Sequence, residues 1–130
     1  MKRVILDTNA YRRVSDNYKS TITVLESAEE VCMSPVVLGE LFAGFKNGTR
    51  ESKNKAALEF FMDSYGIRTI EIGRETSEIY ANLKHILEKK GRPIPVNDIW
   101  IAAQAIETGS VLVTYDDHFK YIPGLRIWNE

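Results

Sequence analysis

This 130-residue sequence offers one cysteine, two histidines and no long apolar run. A lone Cys32 can form no intramolecular disulfide and no cysteine cluster for zinc. Its setting in Val31-Cys32-Met33 reads as a small core hydrophobe on a buried strand. The longest apolar stretches, around 36–45 and 99–106, are interrupted and fall far short of the roughly 20 residues that a membrane span needs. Val4-Ile5-Leu6 ends at once in Asp7, so no secretory hydrophobic region follows Met1-Lys2-Arg3 and a cytoplasmic location is expected, with no membrane partner. Also missing are a paired nucleophile and histidine, a glycine-rich phosphate loop and an HExxH, which leaves triad hydrolases, P-loop enzymes and zinc proteases without support. Positive charge is not in excess either: 17 Lys and Arg stand against 18 Asp and Glu, unlike the balance of a protein that coats DNA.

What is present, 44% apolar and 27% charged residues without a repeat, linker or low-complexity tract, suits one compact domain over 1–130. Arg3-Val4-Ile5-Leu6 reads as a buried strand running into a helix cap at Asp7-Thr8-Asn9. Tyr18, Ile22 and Leu25 mark a first amphipathic helix before a second strand near 31–33. Ser34 suits an N-cap and Pro35 a first helical turn, which predicts a helix from 35 to about 46. A stripe of Leu58, Phe61, Met62 and Tyr65 closes at Gly66, ahead of a third strand at 69–72. Ile79, Leu83, Ile86 and Leu87 mark a long helix ending at Lys90-Gly91. Asn97 is expected to cap a largely apolar helix over 98–108, and strands follow at 111–113 and 125–128. Alternating strands and helices with near-continuous apolar strands imply an α/β fold with a parallel sheet covered on both faces.

Four acids break apolar surroundings: Asp7 after the first strand, Glu40 inside Val36-Val37-Leu38-Gly39-Glu40-Leu41-Phe42, Asp98 at the start of the most apolar helix, and Asp116 after the fourth strand. Asp7 and Asp116 should open onto the carboxyl edge of the sheet, where ligands of such folds bind. Each has a structural reading as well: a cap for Asp7, a helix-dipole partner for Asp98, a turn for Asp116-Asp117. Glu40 resists one, since Val36, Val37, Leu41, Ala43 and Gly44 surround it at helical spacing. Carboxylates brought together repel, and a hard divalent cation, Mg²⁺ or Mn²⁺, relieves that repulsion and can support hydrolysis of a phosphodiester.

In order along the chain, Asp7-Thr8-Asn9, Glu40, Asn97-Asp98-Ile99-Trp100-Ile101-Ala102-Ala103 and Leu112-Val113-Thr114-Tyr115-Asp116 resemble the PIN-domain ribonucleases. The short single-domain format is similar to the VapC-type toxins of toxin–antitoxin pairs. The resemblance runs from Arg3 to Trp128. It implies a three-layer αβα sandwich with a mainly parallel central sheet of four to five strands. It also implies a Mg²⁺- or Mn²⁺-dependent endoribonuclease acting on RNA, a homodimer, and a cognate antitoxin protein. Residue by residue, Asp7, Glu40, Asp98 and Asp116 match the catalytic, metal-holding quartet, with Thr8, Asn9, Thr114 and Asp117 in support. Which member of the Asp116-Asp117 doublet faces the metal is open, with Thr-x-Asp favouring Asp116.

Arg12, Arg13, Lys46, Arg50 and Arg92 flank the expected crevice, and Arg12 and Arg92 are the candidates for holding substrate phosphates. Tyr11 and Tyr115 are candidates for stacking an unpaired base. His118, just after the acids, has two readings, approach to a phosphate and the commoner structural one, and His85 reads as surface. Two other classes compete: a PIN-like domain that processes or only binds RNA without a toxin role, and a receiver-like signalling module. The latter lacks an acceptor aspartate, since Glu71-Ile72-Gly73 follows the third strand. With four acids facing cations, 17 bases outnumber the 14 acids that remain, and phosphate binding becomes reasonable.

Overall fold

The computed structural model describes residues 2–129; Met1 and Glu130, the ends of the expected 1–130 domain, lie outside them. Five strands, β1 (Arg3–Leu6), β2 (Glu30–Met33), β3 (Arg68–Thr69), β4 (Val111–Val113) and β5 (Arg126–Trp128), form one parallel sheet in the order β3-β2-β1-β4-β5. Ile5 lies opposite Cys32 on one side and Leu112 on the other. Successive residues of a strand face opposite ways, and Val4, Ile5 and Leu6 are all fully buried, so both faces of the sheet are covered. The covering is helical: α1 (Thr8–Ser15), α2 (Lys19–Ser27), α3 (Pro35–Asn47), α4 (Glu51–Ser64), α5 (Arg74–Lys89) and α6 (Val96–Thr108). This is the expected αβα arrangement. From β1 the chain moves outward to β2 and β3 and then returns to β4 on the other flank. The strand order therefore reverses between β1 and β4, and the crevice of such a sheet opens beyond their carboxyl ends.

Local chemistry sets most boundaries where the sequence predicts them. Ser34 is buried, and its hydroxyl accepts from Val36 N–H at 3.0 Å with Pro35 in the first turn of α3. Ser34→Ala is expected to cost about 1 kcal/mol, read as a lower urea midpoint with an unchanged slope. Gly66 and Gly109 take φ of 58° and 66° just beyond α4 and α6, the left-handed conformation that glycine adopts freely.

Three boundaries differ. The segment before β2 holds two helices, because Asn17 turns left-handed at φ 62° and separates α1 from α2. β3 is two residues long and not four: the buried Gln104 amide donates to the carbonyls of Ile70 and Glu71, drawing the chain off the ladder. Asn97 is not the cap of α6. The Pro95 carbonyl accepts from Asp98 and Ile99 N–H, so the helix starts at Val96 and Asn97 falls within its first turn.

Candidate active site

Asp7 leaves the carboxyl end of β1 as the N-cap of α1, its Oδ1 accepting from Ala10 N–H at 2.8 Å. Its Oδ2 accepts from the Thr114 hydroxyl at 2.5 Å, just beyond β4. The cap reading and the site reading therefore describe one carboxylate. Asp7 is only 3% exposed, and burial pushes its pKa up to about 6 against the lowering effect of those two hydrogen bonds; the charges of Asp116 and Asp98 push the same way as burial. Thr114, itself buried, accepts from Asp116 N–H at 3.0 Å and so ties the two acids to one hydroxyl.

The remaining acids arrive from other elements, each with a hydrogen-bonding partner. Glu40 on α3 accepts from the Thr8 hydroxyl at 2.7 Å. Asp116 accepts from the Asn9 amide at 3.2 Å. Asp98, in the first turn of α6, shares a 2.6 Å hydrogen bond with His118 Nε2. Burial raises the Asp98 pKa; His118 opposes the rise, and the charges of Asp116 and Glu40 add to it. Asp7, Glu40, Asp98 and Asp116, with Thr8, Asn9 and Arg12, line one cleft of about 470 Å³. Asp98, Asp116 and His118 each offer a ligand atom within 4.8 Å of the others.

Of the doublet, Asp116 lines the cleft. Asp117 turns outward, 83% exposed, and pairs with Lys120 at 3.2 Å. Arg12 lines the cleft as expected, whereas Arg92 stacks over the Tyr121 ring at 4.0 Å and is absent from the cleft wall. Tyr11 is a core residue with its ring edge on Phe61, not a platform for a base. Lys46 is drawn to Glu51 at 3.0 Å, Arg50 precedes α4, and His85 is exposed on α5.

His118 is the residue for which sequence reasoning favours a structural role and which the structure brings to Asp98. A signal lay in Asp117-His118-Phe119 and Ile122: Phe119 and Ile122 are buried, and the 3₁₀ turn Asp117–Tyr121 anchored by them directs His118 to Asp98 while Asp117 and Lys120 face solvent.

A family model described as the PIN domain matches residues 4–125. The chain belongs to the PIN-domain family. A curated relative, Ribonuclease VapC2 of Rickettsia felis, is 32% identical over 130 residues, 96% of each chain. Ribonuclease VapC2 of Haemophilus influenzae is 30% identical over 105 residues, 80% of this chain and 78% of the relative. Among solved structures, VapBC2 of Rickettsia felis bound to a DNA fragment from its promoter superposes with a TM-score of 0.88 at 27% identity, covering 98% of each chain. DNA-bound VapBC of Salmonella typhimurium does so at 0.82 and 26% identity, again over 98% of each. The receiver-like reading is thereby set aside. The donor set of this PIN domain suits a hard cation. Carboxylate oxygens dominate it, one imidazole joins them, and three ligand atoms stand close enough to share an ion.

Proposed function

We propose that this PIN domain is a Mg²⁺- or Mn²⁺-dependent endoribonuclease of the VapC toxin kind, held in check by a cognate antitoxin. The observation that carries the reading is the convergence of Asp7, Glu40, Asp98 and Asp116, from four separate segments, on a single cleft at the point where the strand order reverses. The names of the relatives, ribonucleases and toxin–antitoxin complexes, support it.

A divalent ion in that cleft would supply Lewis-acid stabilisation of charge on the phosphoryl oxygens and a more acidic attacking water. Asp98, Asp116 and His118 have the spacing to hold it, with Asp7 and Glu40 completing the negative wall. Thr114 fixes the Asp7 carboxylate, Thr8 fixes Glu40 and Asn9 fixes Asp116, so these three acids are held in place before substrate arrives. Arg12, on the same wall, can hold a phosphate of the bound strand. A PIN-like domain that only binds RNA would have no use for four carboxylates within one cleft.

Residues 1–130 working as one domain in the cytoplasm, as a homodimer, belong to the same proposal. The single sheet of the described residues supports the first point, and among those residues no helix is long and apolar enough to cross a membrane. The dimer is checked by light scattering on the purified chain. The toxin role is tested by expressing the chain alone and together with the product of the adjacent gene, then mapping RNA ends in the cells. New RNA ends and arrested growth that the neighbour abolishes are expected; unchanged ends and normal growth would overturn the toxin reading.

A further inference from the structure

A second cleft, of about 370 Å³, adjoins the acidic one and shares Asn9, Arg12 and Asp116 with it. Arg13, Tyr18 and Tyr115 form its remaining wall, with Asp16 beside them. Metal binding uses none of these four.

Two of them, Arg13 and Tyr115, are half-buried and held by their neighbours. The Arg13 guanidinium carbon lies 4.1 Å from the Tyr115 ring centroid and 4.8 Å from that of Tyr18. Tyr115 is held at its hydroxyl by Thr21 at 2.5 Å and at its ring by the edge of Trp128. The left-handed Asn17 turns the chain so that Tyr18 N–H donates to the Arg13 carbonyl at 2.9 Å, which brings Tyr18 back beside the arginine. Tyr18 nevertheless remains 41% exposed, an aromatic residue presented to solvent. Stacking occupies the π face of a guanidinium and leaves its in-plane N–H donors available. Among the described residues neither Arg12 nor Arg13 forms an ion pair with a carboxylate.

Charge alone does not define what fits here, since the two arginines are balanced by Asp16 and Asp116. A ligand that satisfies the wall has a phosphate for the arginines, a flat ring for Tyr18 and N–H donors for Asp16. We infer that this cleft seats one unpaired nucleotide of the RNA next to the scissile phosphate, its base stacked on Tyr18 and its phosphate held by Arg12 and Arg13. The inference rests on the ribonuclease reading. What it adds is the seat itself, Tyr18 with Arg12 and Arg13, which takes a base only when that base is free of a pairing partner.

The test is fluorescence anisotropy in EDTA with a short fluorescein-labelled RNA of mixed, unpaired sequence, and with the same strand annealed to its complement. The wild type is expected to prefer the single strand. Tyr18→Ala should weaken that binding by about tenfold, and Tyr18→Phe should restore it, which separates stacking from misfolding. Arg13→Lys, which keeps the charge and loses the planar stack, should also bind less tightly. Asp98→Asn should bind as well as the wild type or better, and with Mn²⁺ present the Tyr18→Ala loss should appear in KM. Equal binding of duplex and single strand, or wild-type affinity in Tyr18→Ala, would overturn the subsite while leaving ribonuclease activity untouched. A wild type that neither binds nor cuts RNA would overturn both.

Discussion

Replacing Asp98 by Asn is expected to slow RNA cleavage by about 10³-fold, the upper end of what losing one preorganised electrostatic group costs, and to leave the fold in place. The two side chains are nearly isosteric, and an asparagine oxygen can still meet the His118 ring that Asp98 contacts at 2.6 Å. What disappears is the negative charge. An amide nitrogen does not bind a divalent ion, and the repulsion that Asp116 and Glu40 exert on Asp98 shows that its charge is part of one electrostatic cluster. Because burial raises the Asp98 pKa, removing the charge relieves the metal-free protein and should not lower its melting temperature. Initial rates at saturating RNA, with circular dichroism melts on the same preparations, check both halves; a wild-type rate would remove Asp98 from the site.

The Asp7→Asn variant is expected to be more stable than the wild type in EDTA at pH 7.5 and yet inactive. Asp7 has a pKa of about 6 in the folded chain, above an unfolded value near 4. Between these values the folded state keeps a proton that the unfolded chain has released, so this group lowers stability as pH rises from about 4 to about 6, and the loss persists above that. Two pKa units correspond to about 3 kcal/mol as an upper figure. Asn remains a good N-cap for α1, so the capping bond to Ala10 N–H is kept; its amide nitrogen then donates to the Thr114 hydroxyl, reversing the bond that the carboxylate accepted, and the buried charge is gone. Mn²⁺ should narrow or reverse the gap by mass action, since it stabilises the wild type more than Asp7→Asn, whose cleft has lost one negative charge beside the Asp98, Asp116 and His118 ligand atoms. Urea midpoints of both proteins from pH 5 to 8, with and without Mn²⁺, isolate Asp7 because all other titrating groups are common to the pair. A variant less stable than the wild type at pH 7.5 in EDTA would contradict the assignment.

A carboxylate kept where burial raises its pKa, at a position where an amide is expected to be held more easily, fits a residue kept for chemistry. It also bears on what the sequence reveals. Asp7, Glu40, Asp98 and Asp116 are legible because each breaks an apolar segment, and a charge in such surroundings must find a partner. Helix starts and stops governed by adjacent residues, Ser34-Pro35 and Gly66 among them, are legible for the same local reason. The features that escaped depend on partners far along the chain. Gln104 shortens a strand more than 30 residues away, and Asp98 receives His118 across 20 positions. Tyr11 and Tyr115 are alike in sequence, yet one fills the core against Phe61 and the other lies against Arg13 at the edge of a cleft. Arg92 lies near the expected crevice in sequence order, but the Tyr121 ring holds it elsewhere. The near-neutral total charge misled in a different way, since it averages a concentrated acidic site with a surface on which bases outnumber acids.

Everything proposed for the cleft comes back to one requirement, that these carboxylates hold a divalent ion for cutting RNA. It is tested most directly by incubating the purified chain with unpaired RNA in Mg²⁺ or Mn²⁺, with and without EDTA, beside Asp98→Asn, and mapping the RNA ends. Internal cuts that need the metal, stop with EDTA and fall by about 10³-fold in rate in Asp98→Asn are expected. Intact RNA in the presence of metal, or equal cutting in EDTA or by the variant, would contradict the account.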